Sequence, residues 1–185
     1  HAGVVPIGGN HITNDVAIGF RTHIDVAEQI KIGYASCLPN SIVRKEQIKL
    51  AEFVPDSTAS HSRRELAEIV EARLQDLFEL LQKELKKIDR TRLLPAGVVL
   101  VGGSSLLPGL VELTRDEIGL PVELGKLEHA PIADENMALS LIPVFGVLQW
   151  AAHRSEQPRG TIWGGGHMTR FNTSKVGKWL KSLLP

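Results

Sequence analysis

The residue pattern in this sequence best suited to bind a ligand is a glycine pair that follows a short apolar run. Residues 98–101 are all apolar, and Gly102, Gly103 and Ser104 come directly after them, before a helix-forming segment. Glycine lets a ligand approach the backbone closely, and the amides that open a helix are free donors, so this order is typical of phosphate and nucleotide sites. The string matches neither G-x-G-x-x-G nor the P-loop pattern. A turn that serves only the fold is therefore the alternative interpretation.

Other reactive residue types show no catalytic or metal-binding pattern. The seven histidines lack metal-ligand spacing, and the single cysteine, Cys37, adds little to them. Ser104 and Ser105 do not lie in a G-x-S-x-G elbow. No catalytic residue and no metal site are therefore predicted. One cysteine also excludes an internal disulfide, which is compatible with a reducing cytoplasm.

Two sets of charged residues on predicted helices have more than one interpretation. Glu28 and Lys31 lie on the polar side of a helix predicted at about 25–32, where a surface ion pair would be ordinary. Lys83, Lys86 and Lys87 lie at the far end of a long helix, where the macrodipole favours cations. The three lysines form either a solvated face or a site for an acidic peptide.

The end of the chain, 175–185, is predicted to form a small amphipathic helix. At about 100° per residue its apolar side chains fall within an arc of roughly 140°, and its polar side chains face the other way. The apolar set is Val176, Trp179, Leu180, Leu183 and Leu184, and the polar set is Lys175, Lys178, Lys181 and Ser182. Because a Gly-rich stretch precedes it, we expect a tethered helix that lies on an anionic membrane surface. Docking on its own domain and a disordered end are the alternatives.

Composition and charge describe an ordinary globular protein. The 185 residues are 43% apolar and 23% charged, which predicts one domain with a core, followed by the tail. The formal net charge is zero, so nucleic acid is not a predicted partner. No apolar run approaches the ~20 residues that cross a bilayer, so any membrane contact is expected to be peripheral.

The predicted elements that position these residues alternate between strands and helices, which indicates an α/β fold. Ser62 and Glu65 have the spacing of a capping box and open the longest helix. The first residues read like the end of a strand, so we expect the chain to begin within a domain of a longer protein. Strands are predicted at 4–7, about 47–53, 98–101 (buried on both faces) and 122–124, and helices at about 12–20, 25–32, 63–88, 106–118 and 139–150.

Four segments, in the same order, resemble the FtsA family of actin-like bacterial cell division proteins. They are residues 5–19, the Ala-Glu-x-x-Lys string at 27–31, the helix and glycine segment at 64–73 and 96–109, and the terminal helix. The resemblance implies an actin-like α/β fold. It places an incomplete larger half at 1–152, with a second subdomain inserted at about 40–95. A flexible linker at 153–170 and a membrane-targeting helix at 171–185 would follow.

The resemblance also implies a nucleotide site. Glu28 and Lys31 would contact the ribose and base of ATP, and Gly102, Gly103 and Ser104 would lie under the adenosine. ATP with Mg²⁺ is implied for the complete protein. The family's two phosphate loops would precede His1, so this chain alone is expected not to hydrolyse ATP.

The implied partners follow from the same resemblance. Lys83, Lys86 and Lys87 would meet the acidic and apolar C-terminal peptide of FtsZ, the tubulin-like division protein. The terminal helix would attach the protein to the cytoplasmic side of the bacterial cell membrane at the division site, and the fold would self-associate into filaments. The expected function is an adaptor that tethers FtsZ filaments to the membrane. The alternatives are another actin-like scaffold, for cell shape or pilus assembly, or a fragment of a sugar or acetate kinase.

Overall fold

The computed structural model describes residues 1–91, 93–126 and 135–156, in which helices outnumber strands. Residues His1–Trp150 form one compact unit, and of the unit that follows only 151–156 are described. The described helices are α1 (Gly9–Gly19), α2 (Ile24–Tyr34), α3 (Arg63–Lys87), α4 (Leu110–Ile118) and α5 (Glu135–Glu156), and the described strands are β1 (Gln47–Lys49), β2 (Ser60–Ser62), β3 (Val98–Leu100) and β4 (Val122–Leu124).

The first two helices confirm the apolar periodicity from which they were predicted. On α1 Ile12 and Val16 are buried, as is Phe20 directly after it, and on α2 Ala27 and Ile30 are buried. Both helices pack into a core that α3 and α4 complete. Helix α1 begins at Gly9, three residues before its predicted start, so its first turn includes polar and glycine residues.

Helix α3 is the long helix that the sequence predicted, and it begins as expected after Ser62. The Ser62 hydroxyl accepts a hydrogen bond from the Arg64 amide at 3.2 Å, which satisfies one of the free donors at the helix start. The donor is the amide of Arg64 and not the amide of Glu65, which the predicted capping box would use. The buried stripe of α3 consists of Leu66, Ala67, Val70, Leu74 and Phe78.

Two short sheets complete the described fold. Strands β1 and β2 pair in antiparallel fashion, and β3 and β4 pair in parallel, with Val98 opposite Val122. Helix α4 connects the parallel pair, as a parallel connection requires. Strand β3 is less buried than predicted, since Val99 is 53% exposed. Among the described residues β4 is the only strand that pairs with it, so β3 is not enclosed as a central strand would be.

Two further predictions differ from the structure. Residues 4–7 form no strand, and Val4 is 90% exposed, because no described strand lies beside this segment to pair with it. Helix α5 is longer than predicted, continuing to Glu156 through the first residues of the predicted linker. Its Ala138 and Leu139 are buried, whereas the apolar side chains of Val144, Val147, Leu148 and Trp150 are exposed. The rest of the predicted linker and the predicted helix at 171–185 lie outside the described residues.

Candidate functional site

Glu28 and Lys31 form an ion pair on α2, one helical turn apart. The Lys31 Nζ lies 2.6 Å from Glu28 Oε2. The two side chains differ in exposure, since 11% of the lysine side chain and 42% of the glutamate side chain are accessible to solvent. The pair therefore has a buried cation and a carboxylate that solvent or a ligand can reach.

Helix α1 supplies the other partners of the buried ammonium group. Lys31 Nζ donates to Thr13 Oγ1 at 2.8 Å and to the Gly9 carbonyl at 3.3 Å. Thr13 Oγ1 in turn lies 2.5 Å from Glu28 Oε2 and 3.1 Å from the Gly9 carbonyl. Thr13 is only 3% exposed, so this polar cluster lies where α1 and α2 pack against each other.

The cluster lowers the pKa of Glu28. Partial burial raises the pKa of its carboxyl group, but the hydrogen bonds from Lys31 and Thr13 and the charge of Lys31 outweigh burial and lower the pKa below its usual range. At neutral pH the group is a carboxylate, which can only accept hydrogen bonds. A ligand that meets Glu28 must therefore bring donors.

The glycine segment after β3 has one position that requires glycine and one that does not. Gly102 has φ +95° and ψ 171°, a region that is essentially restricted to glycine. Its amide donates to the Leu139 carbonyl at 3.2 Å, and its carbonyl accepts from Ser105 Oγ at 2.6 Å. Among the described residues, a Cβ on Gly103 would meet only Ser140 Cβ within 4.0 Å. Backbone geometry fixes Gly102, whereas the described residues leave open space beside Gly103.

Gly9 brings the two predicted parts of the site together. A Cβ built on Gly9 would lie 2.5 Å from Ser104 Oγ and 3.7 Å from Lys31 Nζ. The structure thus places Ser104 and Lys31 close to the same point beside Gly9, in the first turn of α1. Neither Gly9 nor Thr13 was predicted as a site residue. The signal for Thr13 is its position on the apolar face of α1, with Val16 and Phe20, where a polar residue needs a buried partner.

The three lysines predicted to bind a peptide lie on the last turns of α3 and point to solvent. Lys83 Nζ lies 3.3 Å from Glu79 Oε2, and Lys87 Nζ lies 2.6 Å from Glu84 Oε1. Lys86 is exposed in the last turn. Exposed pairs of this kind contribute little to stability, so a partner with its own carboxylates can replace them at small cost.

A separate open groove of about 320 Å³ lies between α1 and α3, lined in part by Ile18, Ile69 and Ala72. At its edge Arg73 binds Asp15 through two hydrogen bonds, of 2.6 and 2.8 Å. No predicted site residue lines this groove. Within the described ranges, no group of three acidic, histidine or cysteine side chains could hold a metal ion, and no helix has the length and apolar character to cross a bilayer.

The arrangement of these elements is that of an actin-like fold. The structure of MreB5 of Spiroplasma citri bound to ADP matches with a TM-score of 0.57 and 17% identity, covering 83% of this chain and 48% of that one. MreB5 bound to AMPPNP matches with a TM-score of 0.56, at 82% and 46% coverage. At this level of identity the similarity shows the fold alone, and it confirms the predicted actin-like α/β class.

Sequence comparison gives the family. The family described as "Cell division protein FtsA" matches residues 1–141, so the chain belongs to the FtsA family of cell division proteins. The FtsA of Pseudomonas aeruginosa is 42% identical over 125 residues, covering 68% of this chain and 30% of that protein. The FtsA of Rhizobium meliloti is 30% identical over 191 aligned residues, covering 98% of this chain and 42% of that protein. The chain spans less than half the length of both relatives. The resemblance inferred from four short segments is confirmed.

Proposed function

We propose that the complete protein is a cell division adaptor that binds ATP and tethers FtsZ filaments to the cytoplasmic face of the cell membrane at the division site. This chain carries the part of the ATP site that holds the adenosine. Membership of the FtsA family favours this function over a cell-shape or pilus scaffold and over a sugar or acetate kinase. The MreB5 structures in the same fold class contain ADP and AMPPNP, which supports a nucleotide as the ligand here.

The observation that carries the nucleotide proposal is the meeting of Glu28, Lys31 and Ser104 around Gly9. These side chains come from two segments that the resemblance assigns to one site, and Ser104 and Lys31 both lie close to Gly9. Their chemistry fits a nucleoside. The Glu28 carboxylate accepts hydrogen bonds from ribose hydroxyls, and the open space beside Gly103 accommodates a flat base against the backbone.

Lys31 is the buried member of the Glu28–Lys31 pair. Its ammonium group is nearly enclosed and satisfied by Thr13, Glu28 and the Gly9 carbonyl. We propose that Lys31 contacts the base at the edge of this cluster, and its charge and hydrogen bond also lower the pKa of the Glu28 carboxyl group. The phosphates and Mg²⁺ belong to the complete site, and the inability of this chain alone to hydrolyse ATP stays a prediction.

Binding of FtsZ is proposed for the exposed end of α3. Lys83, Lys86 and Lys87 present three ammonium groups to solvent, and two of them already donate to carboxylates on the same helix. The carboxylates of an acidic peptide can replace Glu79 and Glu84 as partners of the lysines, and this replacement requires no change in the fold. Because FtsZ and this protein would both assemble into filaments, modest affinity at each contact suffices for a stable attachment.

Membrane attachment is proposed for residues 171–185, which the sequence predicts as a basic amphipathic helix. Trp179 and the leucines beside it would enter the headgroup boundary, and Lys178 and Lys181 would meet anionic lipid. Such single helices bind reversibly, so attachment would strengthen when the protein self-associates.

Fluorescence anisotropy of a labelled FtsZ C-terminal peptide tests the adaptor function. The complete protein is compared with a variant in which Lys83, Lys86 and Lys87 are changed to Glu, and with a matched variant in which the exposed residues Arg44, Lys45 and Lys49 are changed to Glu. We expect saturable binding that the first variant loses and the second keeps. No binding by the folded complete protein would contradict the adaptor function, and equal loss in both variants would contradict the proposed surface.

A further inference from the structure

Thr13 is a buried hydroxyl at the centre of the cluster between α1 and α2. It is 3% exposed and contacts Lys31 Nζ at 2.8 Å, Glu28 Oε2 at 2.5 Å and the Gly9 carbonyl at 3.1 Å. No other described side chain forms hydrogen bonds to both members of the Glu28–Lys31 pair. Thr13 is therefore placed to control how the pair is oriented.

The protons of the cluster can be assigned from the chemistry of its groups. Lys31 has only donors, so Thr13 Oγ1 accepts from it and keeps its own proton to donate. The Glu28 carboxylate is nearer than the Gly9 carbonyl and carries the charge, so the hydroxyl donates to Glu28 Oε2. Glu28 Oε2 thus receives two hydrogen bonds, one from Lys31 and one from Thr13.

The second carboxylate oxygen of Glu28 is left for a ligand. Within the described part of the chain, Glu28 Oε1 has no hydrogen-bond partner, and 42% of the side chain is accessible. Because Oε2 is held at two points, the carboxylate cannot turn freely to present both oxygens to water. The direction of Oε1 is fixed before a ligand arrives.

We propose that Thr13 is a positioning residue that fixes Glu28 Oε1 toward the ribose and so makes the site selective for ribonucleotides over deoxyribonucleotides. This inference rests on the proposed ATP site. A carboxylate oxygen held in place loses a partner when a ribose hydroxyl is missing, and it cannot rotate to recover that partner from solvent. A carboxylate that is free to rotate regains a hydrogen bond from water when the ribose hydroxyl is missing. It therefore discriminates less between ribonucleotides and deoxyribonucleotides.

Calorimetric titration of the complete protein with ATP, 2′-deoxy-ATP and 3′-deoxy-ATP tests this proposal. We expect the wild-type protein to bind ATP about tenfold more tightly than 2′-deoxy-ATP, the size of one hydrogen bond to a charged group, and 3′-deoxy-ATP measures the contribution of the other ribose hydroxyl. Thr13→Val has the same shape without the hydroxyl, and it should reduce that ratio to about twofold. Thr13→Ser keeps the hydroxyl and should keep the ratio.

The outcomes separate the inference from the function on which it rests. A folded wild-type protein that binds no ATP contradicts the ATP site itself. ATP binding with no preference for ribose, or a Thr13→Val variant with the wild-type ratio, contradicts the role of Thr13. Circular dichroism checks folding of each variant. If Thr13→Val does not fold, Thr13→Ala leaves room for a water beside Lys31 and serves the same comparison, with the same outcome expected.

Discussion

Gly9 and Ser104 lie directly against each other, although they are far apart in the sequence. A Cβ on Gly9 would lie 2.5 Å from Ser104 Oγ, well inside van der Waals contact. The absence of a side chain at Gly9 is what lets the loop after β3 approach the first turn of α1. This contact brings the glycine segment close to Lys31 of the Glu28–Lys31 pair.

Gly9→Ala should therefore weaken ATP binding without unfolding the protein. The new methyl group would turn the Ser104 hydroxyl away, and the rotamer cost and the higher helix propensity of alanine nearly cancel, leaving stability within about 1 kcal/mol of wild type. We expect the ATP affinity of the complete protein to fall about fivefold, or about 1 kcal/mol, because the displaced Ser104 hydroxyl would disturb the proposed adenosine site. In a Ser104→Ala background the same change should have no further effect, and an undiminished effect there would contradict the contact as the cause.

The two neighbouring glycines should respond differently to substitution. Gly102→Ala forces alanine to φ +95° and should lower the free energy of unfolding by about 1–3 kcal/mol. Gly103→Val meets open space in the protein and should leave stability nearly unchanged, but it would fill the space proposed for the base and lower ATP affinity at least about tenfold. Urea denaturation and ATP titration measure the two effects. Unchanged ATP affinity in Gly103→Val would mean that the glycine pair serves only the fold.

Cys37 should be unreactive while the protein is folded. It is fully buried, and burial raises the pKa of its thiol to about 12. Since the raised pKa lies above the assay pH, the thiol stays protonated at pH 8, with about a thousandfold less thiolate than an ordinary cysteine. Ellman's reagent should therefore react only at the rate of unfolding and at full rate in denaturing urea. Immediate stoichiometric reaction of the folded protein would contradict the burial of Cys37.

Most helices could be predicted from the sequence because the spacing of their buried apolar residues is a local pattern. The three- and four-residue spacing on α1, α2 and α3 identifies the buried faces, and Ser62 marks where α3 begins. The strands depend on pairing with neighbouring strands, which the local sequence pattern does not show. The exposure of Val99 and the missing strand at 4–7 both follow from pairing, which a local apolar run cannot reveal.

The site was predicted as two parts, and the residues that join them were not. Glu28 and Lys31 are one turn apart on α2, so their pairing follows from spacing. The contacts of Gly9 with Ser104 and of Thr13 with Lys31 depend on how separate segments pack. Of Gly9 and Thr13, only Thr13 could be recognised from the sequence, because its hydroxyl lies on the apolar face of α1.

Trp179→Glu should release the protein from anionic liposomes, because it places a charge within the predicted apolar face of residues 171–185. Ser182→Glu makes the same change in net charge on the predicted polar face and should retain most binding. Co-sedimentation with vesicles that contain phosphatidylglycerol compares the two. Equal sedimentation of Trp179→Glu and the wild-type protein would contradict the proposed membrane helix.

A structure of the complete protein with a non-hydrolysable ATP analogue tests the proposed nucleotide site most directly. We predict that a ribose hydroxyl lies within about 3.2 Å of Glu28 Oε1 and that the base lies over Gly103, beside Ser104. A nucleotide bound elsewhere, with Glu28 Oε1 facing only solvent, would contradict the site.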